Sequence, residues 1–487
     1  MLLPIEIADP LLSQALSRVS VAAAGRAYLV GGAVRDLLLG RKPRDLDVVL
    51  QGKPLPLAQS LEQDLQCKAI VLRESPGVVR LAWHGGAQIL DLLELEGTLE
   101  QDLRRRDCTV NAMALRLVGG AEGLGAELQD PLGGKKDLEA RLLRMTCEKA
   151  LLQDPLRVLR VFRLSAQLAF NVERETEAAI KRHASVVRQA APERVQEELL
   201  LLLDSTPCYE ALKGCVASGV LLHVLPELGP LRGVGQDGYH HLDAFDHTLE
   251  VVRAVEGVLL GQQPLLRAEL LERARTALAR PFLAGCSEVA MLKLAALLHD
   301  LGKPLTRTVE EDGTHFYRHS VVGEEMATAI GERLRFSREA QRRVALLVRE
   351  HLRPGFLADL EPPSPRALNR FFRRLGGEAV AALLLGLADR MAARGPAASE
   401  EWLVRLARTA NELLAEHFRR LGHPEAKVLL DGHQIMARYG LQPGRLVGKA
   451  LALLRRAQEE GLVHTPEQAQ AFLDEKMPQL LGESGAR

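Results

Sequence analysis

Between about residue 27 and residue 130 the apolar positions come in short runs broken by turn residues. The runs are Ala27–Val30, Asp47–Leu50, Val78–Trp83, Gln88–Leu92 and Ala112–Val118. Runs of this length predict strands, so this part of the chain reads as strand-rich α/β structure. Asp130-Pro131-Leu132-Gly133-Gly134 is a cluster of turn formers and a predicted domain edge. Beyond it the period changes. Leu156, Leu159, Val161, Phe162, Leu164 and Leu168 recur at three- and four-residue steps, a helical pattern that persists to about Leu203. A Gly- and Pro-punctuated segment from Leu228 to Gly238 then separates this stretch from a long helical region that carries histidines. Glu361-Pro362-Pro363-Ser364-Pro365 reads as a surface loop within that region, and a last helical section starts near Glu400. Gly482–Arg487 reads as a frayed end. No internal repeat is evident.

Composition adds limits. The chain has 487 residues, enough for roughly three domains, and 47% apolar with 26% charged residues describes an ordinary soluble protein with ample core. Lys plus Arg and Asp plus Glu both number 63, so any binding to nucleic acid has to come from local patches. Cys67, Cys108, Cys147, Cys208, Cys215 and Cys286 show no Cys-x-x-Cys or framework spacing and read as reduced packing residues. The start has no basic segment, and no stretch approaches eighteen uncharged apolar residues. Neither a signal peptide nor a membrane span is expected, and the cytoplasm is the default location.

The densest chemistry lies in Tyr28-Leu29-Val30-Gly31-Gly32-Ala33-Val34-Arg35-Asp36 and in Arg44-Asp45-Leu46-Asp47. These read as a strand, a glycine turn opening a helix, and a second strand. Period-two alternation puts Asp45 and Asp47 on one face and Leu46 on the other. Two adjacent carboxylates repel unless a cation sits between them, and a hard divalent ion such as Mg²⁺ is the usual answer. Gly31 and Gly32 let backbone N–H groups approach a phosphate at the positive end of a helix. Together they make a place for a nucleoside triphosphate, against the plainer reading of a tight turn and a solvated strand end. In Arg104-Arg105-Arg106-Asp107-Cys108-Thr109-Val110-Asn111, one or two of the arginines can reach triphosphate oxygens, while Asp107 and Asn111 can fix the turn.

Gly31-Gly32-x-x-Arg35-Asp36, Asp45-x-Asp47 and Arg105-Arg106-Asp107-x-x-x-Asn111 resemble, in order, the motifs of the class II CCA-adding tRNA nucleotidyltransferase and bacterial poly(A) polymerase family. The resemblance implies an α+β fold: a polymerase-β-like head with a small mixed sheet, followed by an all-α neck, a helical HD domain and a helical tail. It implies boundaries at 1–140, 141–230, 231–400 and 401–487. It also implies Mg²⁺ on Asp45 and Asp47, and Asp91 is the residue that would supply the family's further carboxylate. Asp154-Pro155-Leu156-Arg157, with Arg160 and Arg163 on successive turns, reads from its spacing as a cap and an i,i+3 ion pair on one helix face. The resemblance makes Asp154 and Arg157 the readers of incoming CTP or ATP, with Gln153 where the family carries Glu. Arg194, in Pro192-Glu193-Arg194, would steady that helix. Only ten residues separate Asp91 from Asp102, where many full CCA-adding members carry a longer loop. The trimmed segment predicts a partial reaction.

A second pattern runs through His247, His299-Asp300-Leu301-Gly302-Lys303-Pro304, His319, His351 and Asp389. Imidazole and carboxylate suit divalent metals. His247, His299, Asp300 and Asp389 resemble the HD metal-phosphohydrolase superfamily, with His319 and His351 matching its additional ligands. The resemblance implies one or two divalent ions (Mn, Ni, Co, Fe or Mg) and hydrolysis of phosphate esters. In the tail, Pro443-Gly444-Arg445 and Gly448-Lys449 resemble the same family's end. Arg445 and Lys449 are expected on RNA phosphate, against an even alternative of a solvated basic face. The predicted activity is addition of CMP and/or AMP to the tRNA acceptor end, with no membrane partner and with pairing of two copies left open. The alternatives are a poly(A) polymerase, an HD phosphohydrolase with a nucleotide-sensing head, and a non-catalytic RNA-binding protein.

Overall fold

The computed structural model describes residues 3–4, 7, 9–43, 45–83, 88–120, 123–236, 238–311, 313–360, 362–422, 429–459 and 462–484. Arg44, Asp237, Glu361 and residues 485–487, each part of a feature above, lie outside them. The fold is α+β, and the chain divides into two compact units, Met1–Pro226 and Glu227–Arg487.

The first unit is built on an eight-stranded mixed sheet. Its strands are β1 (Leu3–Pro4), β2 (Ala27–Val30), β3 (Asp45–Leu50), β4 (Lys68–Arg73), β5 (Val78–Trp83), β6 (Gln88–Glu94), β7 (Ala114–Gly120) and β8 (Gly123–Gln129). Their order is β1-β8-β7-β2-β3-β6-β5-β4, with β3 and β6 parallel at the centre. β3 starts at Asp45, two residues before the apolar run, so both acids belong to the strand. β7 starts at Ala114 and not at Ala112, because Thr109–Asn111 close a 3₁₀ turn first. Leu46, Val48, Leu90 and Leu92 are fully buried and fix the central pair. The helices Pro10–Ala23 and Pro54–Leu65 pack on the sheet. Helices Arg157–Leu168, Pro192–Asp204 and Tyr209–Ala217 follow; Phe162 is buried among them.

In the second unit, helices Ala244–Leu259, Glu288–Leu298, Arg338–Glu350 and Ala379–Ala392 pack on one another. Glu288–Leu298 is buried all round, as its nearly unbroken apolar sequence requires. Its one cation, Lys293, is fully buried and pairs with Glu256 at 2.8 Å. Helices Gly432–Tyr439, Arg445–Glu459 and Pro466–Ser484 enclose a separate core of Ile435, Leu454, Leu473 and Met477. The last helix runs to Ser484, past the fraying expected from Gly482, because Met477 and Leu480 anchor its preceding turn.

Candidate functional site

In the head, register sets the acids. Asp47 lies opposite Val30 on β2 and opposite Asp91 on β6, so the residue before the glycine turn and two carboxylates share one line across the sheet. Asp45 is exposed and Asp47 is half-buried. Burial pushes the Asp47 carboxyl above the usual carboxylate range; Arg106 pulls it back, while Asp91 and Asp45 push it further up. A site that crowds acids in this way favours a bound cation. Asp91 is held by Arg80 of β5, whose fork donates to both carboxylate oxygens at 2.9 and 2.8 Å.

Gly31 has φ +75°, a backbone that L side chains rarely adopt. A Cβ there would meet Arg106 Nη1 at 3.0 Å and Asp47 Oδ2 at 3.5 Å. The glycine turn therefore faces both the acid pair and the arginine motif. The two motifs are also tied through side chains. Arg35 donates to Asn111 Oδ1 at 2.7 Å and to Asp36 Oδ1 at 2.9 Å. Asn111 donates to Asp107 Oδ1 at 3.0 Å, and that oxygen also accepts from the Cys108 N–H. Of the three arginines, Arg104 turns to Glu100, whereas Arg105 and Arg106 converge on buried Asp102, an anchor the sequence reading did not assign.

Asp154 and Arg157 do not share a helix face. The helix Glu148–Gln153 ends before Asp154, which is extended (φ −133°, ψ 103°), and a new helix begins at Arg157. Pro155 is the cause, since a residue before proline is pushed out of the helical region. Asp154 pairs instead with Arg194 at 2.8 Å. Burial raises the Asp154 carboxyl, but Arg194 and the Leu156 N–H outweigh it and leave it below the usual range. Arg157 donates to the Arg105 carbonyl at 2.7 Å and the Ala150 carbonyl at 2.9 Å. Arg160 and Arg163 both grip buried Glu198, at 2.7 and 2.6 Å. Glu198→Ala should remove the buried carboxylate that two neighbouring cations share and cost about 3 kcal/mol, read as a lowered thermal midpoint. A midpoint equal to the parent's would show that the triad carries no stability.

The histidine set comes together in the second unit. Donor atoms within 4.8 Å of one another form three groups: His240, His247 and Asp389; His247, His299 and Asp300; and Asp300, His319 and His351. His240 is an addition to the six predicted ligands. It stands beside His241 and seven residues before His247, with no spacing that singles it out. Asp300 is common to two groups, with Oδ2 3.1 Å from His299 Nε2 and Oδ1 3.6 Å from His319 Nε2. His299, His319 and His351 each donate Nδ1–H to a carbonyl three residues back, on Ala296, Phe316 and Val348. Their Nε2 lone pairs therefore face the cluster. His319 and His351 bring two such nitrogens to 3.3 Å, which is repulsive without a cation between them.

Burial pushes His319 down, and brings His351 to about 3 and His247 to about 4, so protons do not supply that cation near neutrality. Burial raises Asp300, but His299 and Lys303 overcome it and hold this carboxyl well below its usual range. His299 Nε2 and both Asp300 oxygens are buried without a well-formed hydrogen bond, although the Lys303 ammonium is 2.7 Å from Oδ2. His247 Nε2 lies 2.9 Å from Asp389 Oδ1. Ligands at right angles on an ion about 2.1 Å away stand about 3 Å apart, and these spacings fit that geometry. Gly302 lets the chain leave the His-Asp helix end; a Cβ there would collide with the His319 carbonyl. In the tail, Arg445 and Lys449 are exposed on the first turns of their helix, opposite buried Val447 and Ala450.

An acid-bearing mixed sheet behind a glycine turn and paired arginines, followed in the chain by a metal-ligand cluster, defines a nucleotide-transferring enzyme with an HD domain. Comparison with known proteins agrees. Residues 27–92 and 87–144 match the poly A polymerase head domain. Residues 169–231 match a probable RNA and SrmB-binding site of polymerase A, and residues 245–394 match the HD domain. The chain is 39% identical over 455 residues to a CC-adding tRNA nucleotidyltransferase of Thermus thermophilus, spanning 92% of this chain and 93% of that one. It is 37% identical to an A-adding tRNA nucleotidyltransferase of Deinococcus radiodurans, spanning 92% and 94%. The chain belongs to the tRNA nucleotidyltransferase family. The Thermotoga maritima CCA-adding enzyme complexed with tRNA shares its fold, with a TM-score of 0.62 at 19% identity over 96% of this chain and 97% of that one.

Proposed function

We propose that the head transfers nucleotides from CTP or ATP to the 3′-hydroxyl of tRNA and performs only part of CCA synthesis, adding one kind of nucleotide. The observation that carries the partial reaction is the link from β6 to the helix Leu99–Arg104, which spans only Leu95–Thr98. Thr98 and Gln101 close it with a reciprocal capping box. So short and fixed a link leaves no loop to reshape the base site between a pyrimidine and a purine. The relatives named CC-adding and A-adding support the same reading.

In this scheme Asp45 and Asp47, with Asp91 as the third carboxylate, would hold Mg²⁺, whose charge when bound would favour ionisation of the attacking hydroxyl and departure of pyrophosphate. Arg105 and Arg106 answer the triphosphate charge, and the Gly31-Gly32 backbone lies alongside it. Arg35, Asp36, Asp107 and Asn111 keep that turn in place. Asp154 and Arg157 read the base edge, Arg194 orients Asp154, and Arg160 and Arg163 brace the helix through Glu198. Arg445 and Lys449 meet tRNA phosphate. The HD ligands would hold one or two divalent ions, which would activate water for hydrolysis of phosphate esters as a second activity. A reducing cytoplasm suits the six free cysteines.

The test uses purified protein, Mg²⁺ and tRNAs ending before CCA, after one C and after CC, with CTP and ATP supplied separately. The expected result is incorporation of one nucleotide type, stopping after one or two additions. Complete CCA synthesis by the protein alone overturns the partial reaction, and long A tails favour poly(A) synthesis.

A further inference from the structure

The helix Pro365–Leu375 reads Pro-Arg-Ala-Leu-Asn-Arg-Phe-Phe-Arg-Arg-Leu, four arginines with no acid. Its inner face buries Ala367, Phe371, Phe372 and Leu375. The opposite face carries Arg366, Arg370 and Arg373 at i, i+4 and i+7, all exposed, with Arg374 beside them turned to Glu350 at 2.7 Å. Arg370 and Arg373 form no ion pair among the described residues. Like charges at these spacings repel; the helix dipole disfavours Arg366 in the first turn and favours Arg373 and Arg374 in the last. The neighbouring helix Glu400–Gly422 adds to the charge. Arg420 donates to Asn369 Oδ1 at 2.8 Å and lies over the Phe372 ring, while it shares a single carboxylate, Glu416, with Arg419. In a chain of zero net charge, this helix gathers four arginines and no acid, three of them exposed along one stripe.

We propose that this arginine face is a contact surface for the phosphate backbone of tRNA, additional to the acceptor-end site and the tail. The proposal rests on the tRNA reading given above. Planar guanidinium forks on a rigid helix suit phosphate oxygens. The exposed stripe holds no large apolar side chain to enter a bilayer, which disfavours a lipid surface. The double variant Arg370→Ala/Arg373→Ala tests it, alongside Arg370→Lys/Arg373→Lys. Fluorescence anisotropy with tRNA lacking CCA, from about 50 to about 200 mM salt, gives affinity and its salt slope.

The alanine pair is expected to weaken binding roughly tenfold at low salt and to lower the slope by about two, with the lysine pair restoring most of both. Both side chains are exposed, so the thermal midpoint should stay within about 1 °C of the parent's. A parent that binds and extends tRNA, beside an alanine pair with unchanged affinity and slope, overturns the contact alone. Weakening that is equal at every salt concentration also overturns it. A parent that neither binds nor extends tRNA overturns the tRNA reading, and the contact with it.

Discussion

Asp47→Ala is expected to lower nucleotide addition by about 10³-fold or more, because it removes a carboxylate from the line that Asp47 shares with Asp91 across the central strands. The loss should fall on kcat, and neither higher nucleotide nor higher Mg²⁺ should rescue it. The opposite sign is expected for stability. Without divalent ions Asp47 is a partly buried acid pressed by two others. Asp47→Asn, which keeps the shape, should therefore melt no lower than the parent in chelator. The phosphatase activity proposed for the HD domain should be unaffected. Activity of Asp47→Ala within tenfold of the parent's would refute the assigned role.

Asp300→Ala should have an equally large effect on the other activity. Asp300 is 1% exposed and, like His247, belongs to two of the three donor groups; it alone offers a carboxylate to both of its groups. Metal content measured on purified protein is expected to fall to near zero, and phosphatase activity with it. Removing the carboxylate also leaves the Lys303 ammonium, 5% exposed, facing several imidazoles with Gln236 to accept from it. Lys303→Met in the same background should recover part of any lost stability. Nucleotide addition should persist. Full metal occupancy in Asp300→Ala would show that the ions sit elsewhere.

How much of this was legible in the sequence depended on burial. β3 was readable because Leu46 and Val48 point into the core while Asp45 and Asp47 point away. β4 gave no signal, since as an edge strand it buries neither face and its residues show no alternation. β8, Gly-Leu-Gly-Ala-Glu-Leu-Gln, looks like a turn until its pairing with β7 is seen. The site followed the same logic. Motif residues were found in place, but their partners were not: Arg80 under Asp91, Asp102 under Arg105 and Arg106, and Glu198 under Arg160 and Arg163 lie 11 to 38 residues away or within ordinary-looking helix. Asp154 was misplaced because helical spacing was carried through Pro155, where the backbone turns.

The three imidazoles held through Nδ1 have one more consequence. Each hydrogen bond ends on a main-chain oxygen three residues back in its own segment. No side chain is involved, so no substitution can delete the acceptor. Mutation can remove one of these ligands outright but cannot gradually weaken its electron-donating strength through that bond. Metal preference in this domain can then drift only through the groups that approach from elsewhere, chiefly Lys303 and the carboxylates. Selection would therefore find it easier to extinguish the second activity than to retune it.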